Sequence, residues 1–431
     1  MNRPRVSILT FGCRANQYES DAMDCALGKN CDVVSGPADV IVLNGCTVTR
    51  LADRKARQAA RRARRESPGA AIILIGCLAD AVHKGLERFD EADLIAGTAW
   101  KGRISEVVEA ALKGARGSLP TTEPTPLDSE RTKGPRHRVR AFLRVQDGCS
   151  LSCAYCRPTR VRGPSRSKSV TAAAAEAREL VGLGFSEIVL TGINLAQYAP
   201  HDGRLADLIL EILDAASLRR LRIASINPAG LTAALIDAFT TDERLCRHFH
   251  VPLQSGDDRI LRAMQRGYSA SQYEARIERV RDRLPDATFG ADVIVGFPGE
   301  DEDAFGASRA VVERIGFSNL HVFRYSPRAG TVAADLPSPV PERIKRARAK
   351  RLDAAWRPIR RTLLDKRIGT TQDVLVEEHR DGRWYGYTRD YIYVSFGSAT
   401  PIPLGAERSV RITEVTEDHL QGRSDDRDVS G

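Results

Sequence analysis

Short, continuous apolar runs alternate with amphipathic stretches along most of this sequence. A chain obeys that alternation when it lays parallel strands side by side under a cover of helices. The first runs, Val6–Thr10, Val40–Leu43 and Ile72–Ile75, are rich in Val and Ile. They end almost identically, in Phe11-Gly12-Cys13, Asn44-Gly45-Cys46 and Gly76-Cys77. In a parallel sheet the carboxyl ends of all strands lie along one edge, where ligand sites form. Three cysteines at three such ends can therefore converge although they are far apart in the chain. Residues 1–117 are expected to form a doubly wound parallel-sheet α/β domain.

Residues 118–137 are rich in Pro, Thr, Gly and charge (Pro120, Pro124, Pro126, Gly134, Pro135) and read as a linker or crossing loop. A second alternation follows, with strands expected at Arg140–Gln146, Glu187–Thr191, Leu221–Ile226, Phe249–Leu253, Asp292–Val295 and Leu320–Tyr325. Amphipathic helices are expected between them, among them Val170–Leu183, Leu205–Leu213 and Ala270–Leu284. Six βα units in a row predict a partial, TIM-like barrel over 138–366, with its site at the strands' carboxyl ends. A basic helix from Pro341 to Lys366 leads out of it. Residues 367–424 change to period-2 segments (Val374–Glu377, Trp384–Tyr387, Tyr391–Ser395, Val410–Ile412) between Gly, Asp and Pro turns, the pattern of a small all-β barrel. Residues 425–431 read as a flexible tail.

Hydrophobic residues are 42% and charged residues 28%, the balance of a soluble globular protein. No apolar run approaches the ~20 residues of a membrane span, and Val6–Phe11 is too short for a secretory core. A cytoplasmic protein with no membrane partner is expected. The net charge of +9 reads either as solvated arginine-rich faces or as a surface for a polyanion. The stretch Arg54–Arg65 poses the same choice locally, and Arg57, Arg61 and Arg64 are the candidates for phosphate contact. Nine cysteines in a large chain of this kind point to metal or catalysis rather than disulfides.

Cys149-x-x-x-Cys153-x-x-Cys156 directly follows the first barrel strand. Three thiolates this close can wrap one metal centre, and no cysteine or histidine follows nearby to complete a structural zinc site. A 4Fe–4S cluster on three cysteines leaves one iron open to bind substrate. Cys25, Cys31 and Cys246 fall outside the trios and read as small buried hydrophobes. Cys31, in a Lys-Asn-Cys-Asp turn, is the main rival for an amino-terminal ligand. No Ser/His/Asp set or carboxylate pair stands out, so no catalytic group is expected beyond the cluster ligands.

The triplet, with Tyr155 before its last cysteine, resembles the hallmark of the radical S-adenosylmethionine (SAM) superfamily. Gly12–Ser20, Asn44–Thr49, Gly76-Cys77, Phe142–Cys149, Arg162-Gly163, Val189–Asn194, His250–Gly256, Asp292–Glu300 and His321–Thr331 together resemble the methylthiotransferases within it. The final β segment is similar to the TRAM module, an RNA-binding barrel. The resemblance implies two 4Fe–4S clusters: one on Cys149, Cys153 and Cys156 that cleaves SAM to a 5′-deoxyadenosyl radical, and an auxiliary one on Cys13, Cys46 and Cys77 that presents the inserted sulfur. It implies that Tyr155, Thr191, Gly192, Asn194, Ser225 and Asp292 contact the cofactor, and that Tyr385 and Tyr391, with the three arginines above, contact RNA. His250 and His321 are candidates for the substrate pocket, against the plainer reading of structural histidines.

The Gly-Cys-x-x-Asn-Gln-Tyr-Glu-Ser opening and the Val-Gln-Asp-Gly-Cys approach most resemble the branch that acts on N6-threonylcarbamoyladenosine beside the tRNA anticodon, giving its 2-methylthio derivative. Rival substrates are isopentenyladenosine in tRNA and an aspartate of a ribosomal protein; a rival of another class is a non-catalytic RNA-binding protein with structural metal sites. A tRNA partner, an electron donor and a sulfur donor are implied, the donors' identities and the oligomeric state being open. Two departures stand out. Arg157-Pro158 replaces two apolar residues and brings the proline one place early, and Asn227 stands where relatives carry glutamate in Ser-x-Glu-Pro.

Overall fold

The computed structural model describes residues 3–136 and 138–424; the expected tail 425–431, and His137 of the expected linker, lie outside them. The amino-terminal domain is a six-stranded parallel sheet in the order β2-β1-β3-β4-β5-β6. Its strands are β1 (Arg5–Thr10), β2 (Asp32–Val33), β3 (Val40–Gly45), β4 (Ala71–Gly76), β5 (Leu94–Ala96) and β6 (Gly117–Ser118). Helices α1 (Arg14–Leu27), α2 (Arg50–Glu66), α3 (Cys77–His83) and α4 (Ile104–Leu112) cover both faces, as alternation along the strands requires. Val40 and Val42 pack with Met23, Leu27, Val107 and Val108 on one side. Ile41 and Leu43 pack with Ala56, Ala60, Ala63 and Leu78 on the other. The cysteine-bearing strands β1, β3 and β4 are immediate neighbours, so their carboxyl ends form one edge.

The segment expected to link the domains lies along the barrel: Leu127 is buried, and Asp128 Oδ1 accepts from Ser169 N at 2.7 Å. Next come β7 (Arg140–Arg144), the short antiparallel pair β8 (Gln146–Asp147) and β9 (Arg166–Ser167), then β10 (Glu187–Thr191), β11 (Arg220–Ile223), β12 (His248–His250), β13 (Thr288–Val295) and β14 (Asn319–Arg324). Two three-stranded parallel sheets, β11-β10-β7 and β12-β13-β14, are joined through the bridges Leu221↔Leu245 and Ser225↔His250. The result is an open barrel of six parallel strands. Several strands differ from expectation: β7 ends at Arg144, two residues before Gln146, and β11 at Ile223, three before Ile226. β13 begins four residues early, at Thr288, because Phe289 and Ala291 enter the core. β12 stops at His250: toward β13 the donor to Asp292 O is Gln254 instead of Leu253, and toward β11 Pro252 has no N–H to pair. Helices α5 (Pro158–Arg162) and α6 (Val170–Gly182) follow β8 and β9.

The basic helix Glu342–Asp365 leads to a closed five-stranded barrel, β15 (Thr371–Arg380), β16 (Arg383–Thr388), β17 (Tyr393–Gly397), β18 (Glu407–Val415) and β19 (Leu420–Ser424). Closure abolishes free sheet edges. The turn between β16 and β17 pushes Tyr391, in a left-handed conformation (φ 65°), against the large barrel. No helix among the described residues is long and apolar enough to cross a membrane.

Candidate active site between two cysteine trios

Side chains of α1 hold the carboxyl edge of the first sheet together. Asn16 Nδ2 donates to the carbonyls of Phe11 (2.9 Å) and Gly45 (3.3 Å). Asn44 Nδ2 donates to Asn16 O and Ser20 Oγ, each at 2.9 Å. Cys13 caps α1, Cys46 follows β3 and Cys77 opens α3. At Gly12 (φ +96°) a Cβ would lie 2.4 Å from Cys46 Cβ, so only glycine lets the first and second cysteine loops approach this closely. Burial pushes the Cys46 thiol up to about 12, and its neighbours Cys13 and Cys77 push it further in the same direction. Cys31 sits at the opposite, amino-terminal end of β2, packed with Val6, Met23 and Leu27, and is excluded from this edge.

The triplet loop is equally braced. Cys149 N donates to Gly163 O (3.0 Å) and Ala154 N to Met264 O (3.0 Å). A Cβ on Gly148 (φ +69°) would lie 2.0 Å from Pro164 O. Burial raises the Cys156 thiol to about 12; Cys153 and Cys149 also raise it.

Each trio therefore gathers thiols that sense one another. Among the described residues, however, neither closes its sulfurs to within 4.8 Å; the one His/Cys/Asp/Glu set that tight is His250, Asp292 and His321. Sulfurs on one tetrahedral zinc, with Zn–S of about 2.3 Å, stand about 3.8 Å apart. Neither trio is gathered as tightly as the ligands of one ion, and an iron–sulfur cluster takes its thiolates at wider spacing. N–H donors already point at four of the six sulfurs: Val48 N to Cys46 (3.4 Å), Arg162 Nε to Cys77 (3.0 Å), Arg266 Nη1 to Cys153 (3.2 Å) and Asn194 Nδ2 to Cys149 (3.6 Å).

A cavity of about 210 Å³ lies between the two domains. Val48 and Thr49, just after Cys46, form one wall; Tyr155, Cys156, Gln254 and Asp292 belong to the opposite one. Two expected cofactor contacts, Tyr155 and Asp292, thus share the cavity with Cys156. Thr191 ends β10 and Gly192 and Asn194 follow it; none of the three lines the cavity, but Asn194 reaches Cys149 of the triplet. Gln146 Oε1 accepts from Asn194 N (2.8 Å), and a Cβ on Gly192 would meet that same oxygen at 2.8 Å. Ser225 bridges to His250. Asp292 Oδ1 receives His250 Nε2 and His321 Nδ1, each at 3.1 Å. Burial would raise the Asp292 carboxyl, but the two imidazole hydrogen bonds hold it well below the carboxylate range. The two departures are also accounted for. Pro158 takes the first position of α5, where its missing N–H costs nothing, and Arg157 pairs with Glu87 (2.7 Å) of the amino-terminal domain. Asn227 Oδ1 accepts from Ala229 N (3.1 Å) and caps a local turn.

The residues that join the two domains carried no expectation of a role. Glu19 is 3% exposed and faces Lys101, Arg144 and Arg162. Tyr18 donates to Glu176 of α6 at 2.9 Å. Arg328 donates to Thr47 Oγ1 at 2.9 Å and pairs with Asp53 of α2. The available signal was the charge at Glu19, one residue from the apolar stripe of α1; which cations meet it is decided by docking alone.

The expected RNA contacts divide. Arg57 and Arg61 pair with Glu91, and Arg64 with Asp93, while the Arg61 side chain stays 64% and that of Arg64 40% exposed. Tyr391 is enclosed: Arg14 Nη2 donates to its hydroxyl (3.0 Å), and the Arg222 guanidinium lies 5.0 Å and the His248 ring 5.3 Å from its ring centre. Tyr385 is half-buried, stacked on Tyr393 at 5.7 Å, with the Arg380 guanidinium over its ring at 4.8 Å.

Residues 143–310 match the radical SAM superfamily, residues 5–97 an uncharacterized protein family, UPF0004, and residues 365–424 the TRAM domain. The chain is 34% identical over 389 residues to threonylcarbamoyladenosine tRNA methylthiotransferase MtaB of Aquifex aeolicus (strain VF5), covering 87% of this chain and 94% of that one. It is 33% identical over 419 residues to the protein of the same name from Thermotoga maritima, covering 96% and 95%. Among solved structures, the radical SAM methyltransferase TsrM from Kitasatospora setae aligns over 75% of this chain and 73% of its own, with TM-score 0.54 and 14% identity, a likeness of fold.

Proposed function

This chain belongs to the threonylcarbamoyladenosine tRNA methylthiotransferase family of radical SAM enzymes, and from that membership we propose that it adds a methylthio group to carbon 2 of N6-threonylcarbamoyladenosine beside the anticodon of tRNA. Membership brings SAM and a 4Fe–4S cluster, for which Cys149, Cys153 and Cys156 are the ligands by our reading. A second cluster belongs on Cys13, Cys46 and Cys77. Bound there, the clusters and SAM supply a carbon-centred radical on one side and the transferable sulfur on the other.

The observation that carries this reading is the shared cavity, with Val48 and Thr49 beside Cys46 on one wall and Tyr155 and Cys156 on the other. A base placed there lies against Cys156 on one side and against the residues that follow Cys46 on the other. Asn194 and Arg266 hold the triplet sulfurs by N–H···S contacts, while Gln146 fixes the Thr191–Asn194 turn. The basic charge and the TRAM barrel suit tRNA, with Tyr385 and the Arg380 guanidinium over its ring as the barrel's RNA contact in this reading.

Mass spectrometry of tRNA nucleosides from a deletion strain tests the substrate. The 2-methylthio-threonylcarbamoyl nucleoside should vanish and return on complementation; normal levels in the deletion strain would refute the assignment. Purified, anaerobically reconstituted protein should hold about eight irons and release 5′-deoxyadenosine on reduction with SAM. Zinc in place of iron would favour the binding-protein alternative.

A further inference from the structure

Arg162 is 1% exposed at its side chain, and every nitrogen of its guanidinium is engaged. Nε donates to Cys77 Sγ at 3.0 Å. Nη1 donates to Glu19 Oε1 (2.8 Å) and Asp147 Oδ1 (2.7 Å), and Nη2 to Asn16 Oδ1 (2.7 Å) and Glu19 Oε2 (3.1 Å). Its place in the chain gives these contacts meaning. Asp147 lies two residues before Cys149 and Arg162 six after Cys156, so their ion pair closes the neck of the triplet loop. The same guanidinium then reaches across the domain boundary to a sulfur of the other trio.

We propose that Arg162 is a positioning residue that ties the two cysteine trios together and sets the reduction potential of the centre held by Cys13, Cys46 and Cys77. The inference rests on the reading above that this trio holds a cluster. A charge-assisted N–H···S contact draws electron density from the thiolate and stabilises the more negative, reduced state, so it raises the potential. A planar fork is needed for the task. It meets a sulfur on one edge and two carboxylates and an amide on the others, which a lysine ammonium cannot do. Glu19, Asp147 and Asn16 fix the fork, and the geometry at the sulfur does not depend on bound tRNA.

The test uses the full chain with Cys149, Cys153 and Cys156 all changed to Ala, so that one centre remains, reconstituted anaerobically and titrated potentiometrically with detection by electron paramagnetic resonance. The contact is made in both oxidation states and is stronger to the more negative, reduced one; losing it should lower the reduced-to-oxidised ratio at fixed potential, by about 59 mV for each tenfold change in a one-electron couple. The expected order of potentials is Arg162 highest, Arg162→Lys lower, Arg162→Gln lowest. Arg162→Lys keeps a cation beside Glu19 and Asp147, so it carries the test if Arg162→Gln fails to hold its cluster. A structural role alone would lower iron content and leave the potential of the remaining cluster unchanged; that result overturns the proposal by itself. Absence of iron in the triple variant with Arg162 intact overturns the cluster reading and the proposal with it.

Discussion

Replacing Glu19 by Gln removes one negative charge from the junction of the two domains and leaves its shape. The carboxylate meets Lys101, Arg144 and Arg162, all buried. Burial alone would raise its pKa; Arg162, Lys101 and Arg144 outweigh that and bring it from the ordinary 4.5 to about 2. At 1.36 kcal/mol per pH unit the difference corresponds to about 3 kcal/mol of stability, in line with the about 3–5 kcal/mol lost when one partner of a buried pair is removed. Because the folded-state value is depressed, the stabilisation is complete above about pH 4.5 and disappears as the pH falls through about 2. Urea unfolding of wild type and Glu19→Gln, followed by tryptophan fluorescence and by limited proteolysis at the domain junction, measures it. The variant should lose about 3 kcal/mol at neutral pH, and the gap between the two proteins should close on acidification below pH 4. A loss under about 1 kcal/mol at neutral pH, or a gap independent of pH, would refute the assignment of Glu19 as the charge that holds the domains.

Four further outcomes are expected. Cys149→Ala should abolish reductive cleavage of SAM, whereas Cys46→Ala should retain cleavage and lose methylthiolation, read as 5′-deoxyadenosine and modified nucleoside in one assay; equal loss of cleavage contradicts the division of labour. Gly12→Ala places a Cβ 2.4 Å from Cys46 Cβ at φ +96°, a strain of about 1–3 kcal/mol; iron content should drop from about eight toward about four per chain with SAM cleavage intact. Changing Arg57, Arg61 and Arg64 together to Gln should leave the salt dependence of tRNA binding almost unchanged, since all three are paired internally; a slope reduced by about 2 or more would return them to the RNA face. Tyr391→Ala should destabilise the docking of the small barrel by about 2 kcal/mol, measured by proteolysis of the carboxy-terminal barrel, while Tyr385→Ala should weaken tRNA binding without that loss.

Local pattern accounts for much of this molecule. Val and Ile runs bounded by Gly-Cys announce parallel strands with their cysteines on one edge, because strand direction and the right-handed crossover leave little choice. The spacing of Cys149, Cys153 and Cys156 declares a three-thiolate site irrespective of fold. The closed barrel at the carboxyl end follows from period-2 segments and turn residues, although its last strand, Leu420–Ser424, is short and half polar and gives little pattern of its own.

Other features belong to packing. Charge on a helix is visible in a sequence, but its partner is not. Arg57, Arg61 and Arg64 read either as a solvated face or as a phosphate contact, and only the fold brings Glu91 and Asp93 beside them; likewise only the fold carries Tyr391 among Arg14, Arg222 and His248. Arg162 is one arginine among many in the chain. Only the docking of the two domains, which depends on long-range contacts between α1 and the barrel, puts its Nε at Cys77 and its fork on Glu19 and Asp147. The sequence by itself determined which atoms can bind a cluster, since ligand chemistry is local. The tertiary structure decided how the two cysteine trios are placed toward each other, because that geometry rests on buried ion pairs formed only when separate parts of the chain meet.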